Sequence, residues 1–245
     1  MRPDVLVEMG HTRLRIAGRV AESGIGEVEV VAHPEFEEWL DAGHGGRQAR
    51  FWLAAVPGAE VVSCLTDALD ARGIEWRRIR LGEPVLPVAP AYAELGVDRW
   101  LAMQVPWREI GDAFCVVDCG TATTFDVVDA EGRHLGGWIV PGRDAARSGL
   151  LGRAPGLHRE AMGTGRFLDP ATSTADAVDR GLRLQQIAAI EVMSRAAAER
   201  LGRPSLPLFA TGGDLDWIES AGRVDRVAPY LALEGLALAV AHLDR

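Results

Sequence analysis

Residues 114–142 read FCVVDCGTATTFDVVDAEGRHLGGWIVPG, and this stretch decides the fold class. An apolar run over 114–117 predicts a buried strand that delivers Asp118 to a Gly-Thr turn. A second strand, with alternating apolar positions, is expected from Thr123 to Val128. The glycine of such a turn lets the backbone approach an anion, and nearby hydroxyl and N–H groups can donate to phosphate oxygens. The stretch therefore predicts a phosphate and cation site at a strand end.

A weaker copy of the pattern lies near the N-terminus, where residues 5–18 read VLVEMGHTRLRIAG. It predicts a hairpin with Glu8, Gly10 and Thr12 around its turn. Two strand–turn–strand segments, each carrying an acid and a threonine, indicate a duplicated phosphate-binding architecture.

Composition excludes several classes of protein. The 245 residues carry a formal net charge of −9, which argues against a nucleic-acid partner. All 26 basic residues are arginine, so a P-loop lysine, a Schiff-base lysine and a pyridoxal-phosphate site are excluded. Phosphate chemistry would have to use backbone N–H groups, arginines, hydroxyls and a metal ion.

Three further patterns bear on location and on metal binding. Apolar runs fall short of the roughly 20 residues of a membrane span, and the acid-containing N-terminus is not a signal peptide. The cysteines have neither metal-site nor disulfide spacing, which favours a reducing cytoplasm. Five histidines show no ligand spacing and are interpreted as surface or capping residues: His33, His44, His134, His158 and His242.

Strand and helix patterns alternate along the chain, which predicts an α/β fold of two lobes, 1–113 and 114–245. Helices are expected over 34–42, 64–72, 97–105, 143–151, 174–201 and 228–243. Pro106 should stop the third helix, and Ser173 should cap the long one. Residues 152–173 are predicted to form a mobile or partner-contacting loop.

Four segments carry candidate chemistry: 8–12, 96–99, 118–121 and 211–213. Asp98 is expected at a helix start, where the dipole and free N–H groups stabilise an acid. Arg99 can make a two-pronged contact with a carboxylate or a phosphate. We expect the four segments to meet in one pocket.

The order and spacing of these segments resemble the type III pantothenate kinases, including their Bvg accessory factor branch. The resemblance rests on GVDRWLAM (96–103), VVDCGTATTFDVVD (116–129), HLGGWIVPG (134–142), Thr174-x-x-Ala177-Val178-x-x-Gly181 and TGGD (211–214). It implies the two-lobed, ribonuclease H-like, actin-like ATPase fold of the actin/hexokinase/Hsp70 superfamily, with ATP in an interlobe cleft. The implied reaction transfers the γ-phosphoryl group of ATP to the primary hydroxyl of pantothenate.

The resemblance also implies residue roles. Asp98 would accept the hydroxyl proton, and pantothenate would be held by Gly96, Val97, Asp98, Arg99 and Tyr92. Thr174 would contact the substrate from the partner subunit of a homodimer. The ATP phosphates would be held by Glu8, Met9, Gly10, His11, Thr12, Arg13, Leu14 and Arg15, with Thr121 touching ATP as well. Asp118 would hold a monovalent cation, K⁺ or NH₄⁺, and Glu8 would face Mg²⁺.

The first motif departs from the family pattern Asp-x-Gly-Asn-Thr, because Glu8 and His11 replace the aspartate and the asparagine. The extra methylene of glutamate shifts a metal contact by roughly 1 Å, a misplacement that can cost on the order of 100-fold in rate. This departure keeps one alternative open, a catalytically silent regulatory relative. A kinase for a sugar or another small alcohol stays open because the residues do not reveal the acceptor pocket, and a purely structural protein is the third alternative.

Overall fold

The structure is a computed structural model that describes residues 2–20, 24–44, 46, 48–56, 60–157, 166–215, 218 and 224–244. The side chains of residues 60 and 61 are outside this description. The described residues group into two compact units. The first unit lies within 1–112, 128–136 and 230–245, and the second within 113–127 and 137–229.

The first unit is built on a five-stranded mixed sheet in the order β3-β2-β1-β4-β5. Its strands are β1 Asp4–Met9, β2 Arg13–Val20, β3 Gly24–Ala32, β4 Arg50–Ala55 and β5 Glu75–Arg78. The first three strands pair antiparallel, and β4 and β5 continue parallel to β1. Strand β1 lies at the centre of the sheet and is buried along its whole length. The positions of its last residues are therefore fixed by the strands on both sides.

The described residues of this unit form four α-helices: α1 Phe36–Asp41, α2 Glu60–Ala71, α3 Val97–Ile110 and α6 Leu231–Leu243. One face of the sheet packs on α1 and α2 around a core that includes Val7, Phe51 and Leu69. Helix α6 lies directly against α3, and a Cβ added to Gly235 would sit 2.0 Å from the Leu101 carbonyl oxygen. The absent side chain therefore permits the close approach of the two helices.

Two boundaries differ from the sequence prediction. The predicted lobes, 1–113 and 114–245, share the break near residue 113, but the structure returns residues 128–136 and α6 to the first unit. The prediction that Pro106 ends α3 is wrong, because the helix continues to Ile110 and closes at Gly111 with φ +56°. Burial of α3 from Val97 to Pro106 offsets the roughly 3 kcal/mol cost of an internal proline.

At the start of β1, a buried carboxylate joins three strands. Asp4 accepts hydrogen bonds from Arg19 at 2.6 and 2.9 Å, from Arg50 at 2.9 Å and from the Trp52 indole at 3.0 Å. Both arginines also contact Asp244, just after α6. The network ties β1, β2, β4 and the chain end together, at the opposite end of β1 from Glu8.

Asp4→Asn should lower the free energy of unfolding by about 3 kcal/mol at pH 7, because two partly buried arginines lose their main partner. Burial opposes ionisation of Asp4, but the hydrogen bonds from Arg50, Trp52 and Arg19 outweigh it and lower its pKa below 3.8. The stabilisation is therefore complete above the unfolded-state pKa and is lost as the pH falls through the native one.

Urea unfolding at pH 7 and at pH 2–3 measures both effects. The difference between the wild type and Asp4→Asn should shrink in acid. Asp41→Asn, in the exposed pair with Arg72, serves as the control and should cost far less than Asp4→Asn. An equal cost at the two pH values would contradict the ionic role of Asp4.

The second unit contains most of a second five-stranded sheet, in the order β10-β9-β6-β7-β8. Its strands are β6 Phe114–Cys119, β7 Ala122–Val128, β8 His134–Pro141, β9 Leu208–Gly212 and β10 Arg226–Val227. Strand β9 runs parallel to β6 and to β10. The parallel pairing sets Asp118 beside Thr211 and Cys119 beside Gly212. The predicted strand end and the predicted glycine turn are thus neighbours.

Helices α4 Arg143–Arg153 and α5 Thr174–Arg200 belong to the second unit. The predicted cap of α5 is confirmed, because Ser173 Oγ accepts the N–H of Asp176 at 3.2 Å. Residues 158–165 of the predicted mobile loop lie outside the described residues. None of the helices in the described ranges combines the length and the apolar character that crossing a membrane requires.

Candidate active site

Glu8 lies near the end of β1 and pairs directly across the hairpin with Arg15 of β2. Directly opposite residues point to the same face of the sheet, so their side chains can meet. Arg15 Nη1 donates to Glu8 Oε1 at 2.7 Å, and the side chain of Glu8 is only 7% exposed. The departure from the family aspartate is therefore accompanied by an arginine partner within the same hairpin.

The electrostatics of Glu8 connect it to α3. Burial raises its pKa above 4.5, the charge of Arg15 opposes this rise, and the charge of Asp98 adds to it. The two carboxylates therefore lie close enough to repel one another. Within the first unit, the structure brings together two of the four predicted segments, 8–12 and 96–99.

Arg15→Ala should lower the free energy of unfolding by about 2 kcal/mol at pH 7 because it leaves a buried carboxylate without its partner. A native pKa that is raised costs stability above the unfolded-state pKa, and the cost is relieved as the pH falls through the native value. The effect of the variant should therefore be smaller at pH 5 than at pH 7. Urea unfolding at both pH values measures it, with Arg13→Ala on the same strand as an exposed control.

The remaining residues of segment 8–15 fall into two groups. Met9 and Leu14 are in the hydrophobic core, so their side chains face away from any ligand and their backbone alone could take part. His11, Thr12 and Arg13 are exposed, in a turn closed by the Gly10 N–H donating to the Arg13 oxygen at 3.1 Å. The accessible donors of this segment are therefore in its turn.

Helix α3 begins at Val97 with Gly96 as its N-cap, and Asp98 lies in its first turn. Asp98 Oδ1 accepts the backbone N–H of Arg99 at 2.9 Å. A Cβ at Gly96 would lie 2.4 Å from the same side-chain oxygen, so a larger residue there would displace the Asp98 carboxylate from this position. Asp98 remains partly exposed.

Arg99 is buried, and its Nη1 donates to the Tyr92 hydroxyl at 3.1 Å. The two predicted substrate residues therefore form a pair. His134 packs beside Tyr92, with ring centroids 6.0 Å apart, and is 4% exposed. The interpretation of His134 as a surface or capping residue is wrong, because β8 begins at this residue and turns its side chain inward.

In the second unit, the carboxylate of Asp118 lies close to the backbone of Gly212. A Cβ at Gly212 would lie 2.6 Å from Asp118 Oδ1 and 2.4 Å from the Cys119 carbonyl oxygen, and φ at Gly212 is +108°. The pKa of the Cys119 thiol is raised by burial and then by the charges of Asp118 and Asp214. Two carboxylates thus lie near this strand end, joining segments 118–121 and 211–213.

The adjacent turn is closed from a second side by the start of α4. The Gly142 N–H donates to the Thr121 oxygen at 3.0 Å, and a Cβ at Gly142 would lie 2.0 Å from the Gly120 oxygen. Thr121 itself is exposed. The turn is held by backbone contacts while the hydroxyl proposed to touch ATP faces outward.

The two predicted cation ligands, Glu8 and Asp118, differ in how well they suit a metal ion. Glu8 does not suit a direct Mg²⁺ contact, because a guanidinium already lies 2.7 Å from its carboxylate. Asp118 suits a hard cation better, since carboxylate oxygens near a second acid are the ligands such ions take. Among the described residues, no cluster of three or more His, Cys, Asp or Glu could hold a metal ion.

A family model described as type III pantothenate kinase matches residues 11–196. The chain belongs to the type III pantothenate kinase family. A curated family member of Ectopseudomonas mendocina is 38% identical, over 93% of this chain and 90% of that one. The relative in Pseudomonas aeruginosa strain PAO1 is also 38% identical, but the match spans 60% of each chain.

Solved structures place this pantothenate kinase family member in the actin-like ATPase fold. A Baf family protein from Campylobacter jejuni aligns over 98% of both chains with a TM-score of 0.67 and 18% identity. A candidate N-acetylmannosamine kinase from Listeria monocytogenes aligns over 99% of this chain and 100% of its own, with a TM-score of 0.55 and 10% identity. The predicted fold class is thus confirmed.

Sequence reasoning missed two contacts of the site. The pairing of Glu8 with Arg15 follows from the hairpin register, because a turn over residues 10–12 sets these two residues opposite one another. The approach of Asp214 follows from the TGGD motif, whose acid comes just after a strand parallel to β6. Both signals are present in the sequence, but they can be interpreted only when the pairing of the strands is known.

Proposed function

We propose that this chain phosphorylates the primary hydroxyl of pantothenate with ATP and forms 4′-phosphopantothenate, the first step towards coenzyme A. The observation that carries the proposal is an acid–arginine pair, Asp98 and Arg99, at the start of a buried helix in a member of the family. Phosphoryl transfer needs positioning, charge neutralisation and one base. This helix start supplies the base.

Asp98 accepts the hydroxyl proton of the acceptor as the oxygen attacks the γ-phosphorus, and the bond from that phosphorus to the β–γ bridging oxygen breaks to release ADP. The Arg99 N–H and the dipole of α3 orient its carboxylate. Gly96, Val97 and the Arg99–Tyr92 pair hold pantothenate, whose carboxylate suits a guanidinium. In this proposal, Thr174 contributes from the partner subunit; it is exposed as the first residue of α5.

The nucleotide contacts are proposed from the exposed donors. Gly10, His11, Thr12 and Arg13 offer backbone, imidazole, hydroxyl and guanidinium groups to the phosphates, and Thr121 offers a hydroxyl. Arginine takes over the phosphate-binding role of lysine in a chain that has none. Mg²⁺ would be held mainly by the ATP phosphates and by water, and it would neutralise phosphate charge. Asp118 holds K⁺ or NH₄⁺, which supplies positive charge when bound.

The homodimer is proposed to form through the second unit. Its described residues include six exposed large apolar side chains, Trp138, Ile139, Leu150, Leu168, Leu184 and Val192. Side chains of this kind are enriched where two proteins meet. Sedimentation analysis should give twice the chain mass, and Val192→Glu should shift it to the mass of one chain.

Two absences complete the proposal. With a net charge of −9, the chain is not expected to bind nucleic acid, and no membrane attachment is proposed. We place the protein in the cytoplasm.

ADP release tests the function, measured with ATP, pantothenate, Mg²⁺ and K⁺ and repeated with Na⁺ in place of K⁺. Turnover that needs pantothenate supports the proposal, and turnover with a sugar instead overturns the acceptor. The Glu8–Arg15 contact favours one second candidate, a silent relative acting as a regulatory binding protein. Calorimetric binding of pantothenate without ADP release would establish that candidate.

A further inference from the structure

Tyr92 lies in a segment that needs outside contacts to fix its position. Residues 79–96, all described by the structure, run between β5 and α3 outside any regular helix or strand. Tyr92 is 40% exposed, yet its hydroxyl accepts a hydrogen bond from the buried Arg99. Whatever holds Tyr92 therefore also holds the guanidinium of Arg99.

His134 contacts this segment through both its backbone and its ring. Its N–H donates to the Ala89 oxygen at 3.3 Å, and the Ala89 N–H donates to the Gly132 oxygen at 3.2 Å. Its Nδ1 accepts the N–H of Ala91 at 3.4 Å. An accepting Nδ1 carries no proton, so the ring in this arrangement is the Nε2–H tautomer. The imidazole is thus anchored beside the residue that precedes Tyr92.

The ring of His134 then meets the ring of Tyr92 at 6.0 Å and an angle of 38°. Tilted contacts of this kind restrict the orientation of an aromatic side chain. The Tyr92 hydroxyl receives the Arg99 hydrogen on a lone pair, so its own hydrogen is directed elsewhere. A guanidinium and a phenol O–H together form a donor set for a carboxylate.

We infer that His134 is a positioning residue, which holds Tyr92 and through it Arg99 in the orientation that binds an anionic acceptor. The inference rests on the proposed function and deepens it. It assigns part of the recognition of the acceptor to a residue on β8, outside the motif that carries Asp98. An aliphatic residue could fill the same buried space, but it would lack the acceptor for Ala91 and the flat ring for Tyr92.

Steady-state kinetics test the inference. In His134→Ala, KM for pantothenate should rise about tenfold, while kcat and KM for ATP stay within about twofold, because ground-state positioning of the acceptor alone is disturbed. His134→Asn keeps an acceptor near the position of Nδ1 and should show a smaller rise. If the alanine variant does not fold, the His134→Asn variant alone tests the inference. His44→Ala, an exposed histidine, is the matched control.

A double-mutant cycle with Tyr92→Phe separates positioning from simple packing. If His134 acts through the Tyr92 hydroxyl, His134→Ala should add less than about twofold to KM in the Tyr92→Phe background. Independent, multiplying effects would overturn the inference, and so would an unchanged KM in both His134 variants or a parallel loss in KM for ATP.

Failure of the proposed function would give a different experimental result from failure of the inference about His134. A wild type that turns over pantothenate, with His134 variants that match it, refutes only the role of His134. If the wild type gives no turnover, calorimetric pantothenate affinity replaces KM in the same set of variants. A wild type that neither turns over nor binds pantothenate refutes the function and the inference together.

Discussion

Asp98→Asn is expected to lower kcat for pantothenate phosphorylation by about 10²–10⁴-fold, the range that loss of a general base costs. Asparagine has nearly the same shape as aspartate, and its carbonyl oxygen can still accept the Arg99 N–H now bonded at 2.9 Å. The start of α3 should therefore keep its geometry. What the variant removes is the ability to take the hydroxyl proton.

The comparison needs a fold control and a binding control. Asp67→Asn changes an exposed acid on α2, and its kcat should stay within about twofold of wild type. Calorimetric affinity for ATP should be retained in Asp98→Asn, since the nucleotide contacts are proposed on other residues. A kcat close to wild type would remove Asp98 as the base, and a loss of ATP binding would point to a collapsed site.

Short-range signals predicted the parts of the site that depend on neighbouring residues. The hairpin around Gly10, the strand that delivers Asp118 and the cap at Ser173 each follow from a local pattern, and each is present. Period-2 alternation, turn glycines and capping hydroxyls act within a few residues, so one segment contains the information.

Tertiary packing decided the features that the sequence did not reveal. Helix α3 passes through Pro106 because α6 covers it, an arrangement that places residues more than 120 positions apart in contact. Strand β3, which was not predicted, mixes glycines and glutamates with its valines and is held by pairing with β2. His134 is buried because β8 meets residues 89–91, a pairing without a local signal.

Gly142→Ala should lower the free energy of unfolding by about 4 kcal/mol, at the upper end for a single added methyl group. The new Cβ would lie 2.0 Å from the Gly120 oxygen and 2.7 Å from the Thr121 oxygen, and both are backbone atoms. A side chain could rotate away, but these atoms belong to a turn between two paired strands. Either that turn or the start of α4 must move.

The displacement should also reach function, because Thr121 is the residue proposed to touch ATP. We expect KM for ATP to rise by about tenfold or more in Gly142→Ala at a temperature where the variant is still folded. The enzyme would then be impaired by a methyl group that carries no charge and no hydrogen-bonding atom.

Gly149→Ala provides the matched control, since it makes the same change seven residues later, within helix α4, whose N-cap is Gly142. A Cβ at Gly149 meets nothing within 4 Å, so this variant should be neutral or more stable by up to about 1 kcal/mol. Urea unfolding of the two variants side by side isolates the steric effect from helix propensity. If both alanine variants stabilise the protein, the Gly120–Thr121 turn can move to accept the added methyl group. The claim that contact with Gly142 holds this turn rigidly would then be refuted.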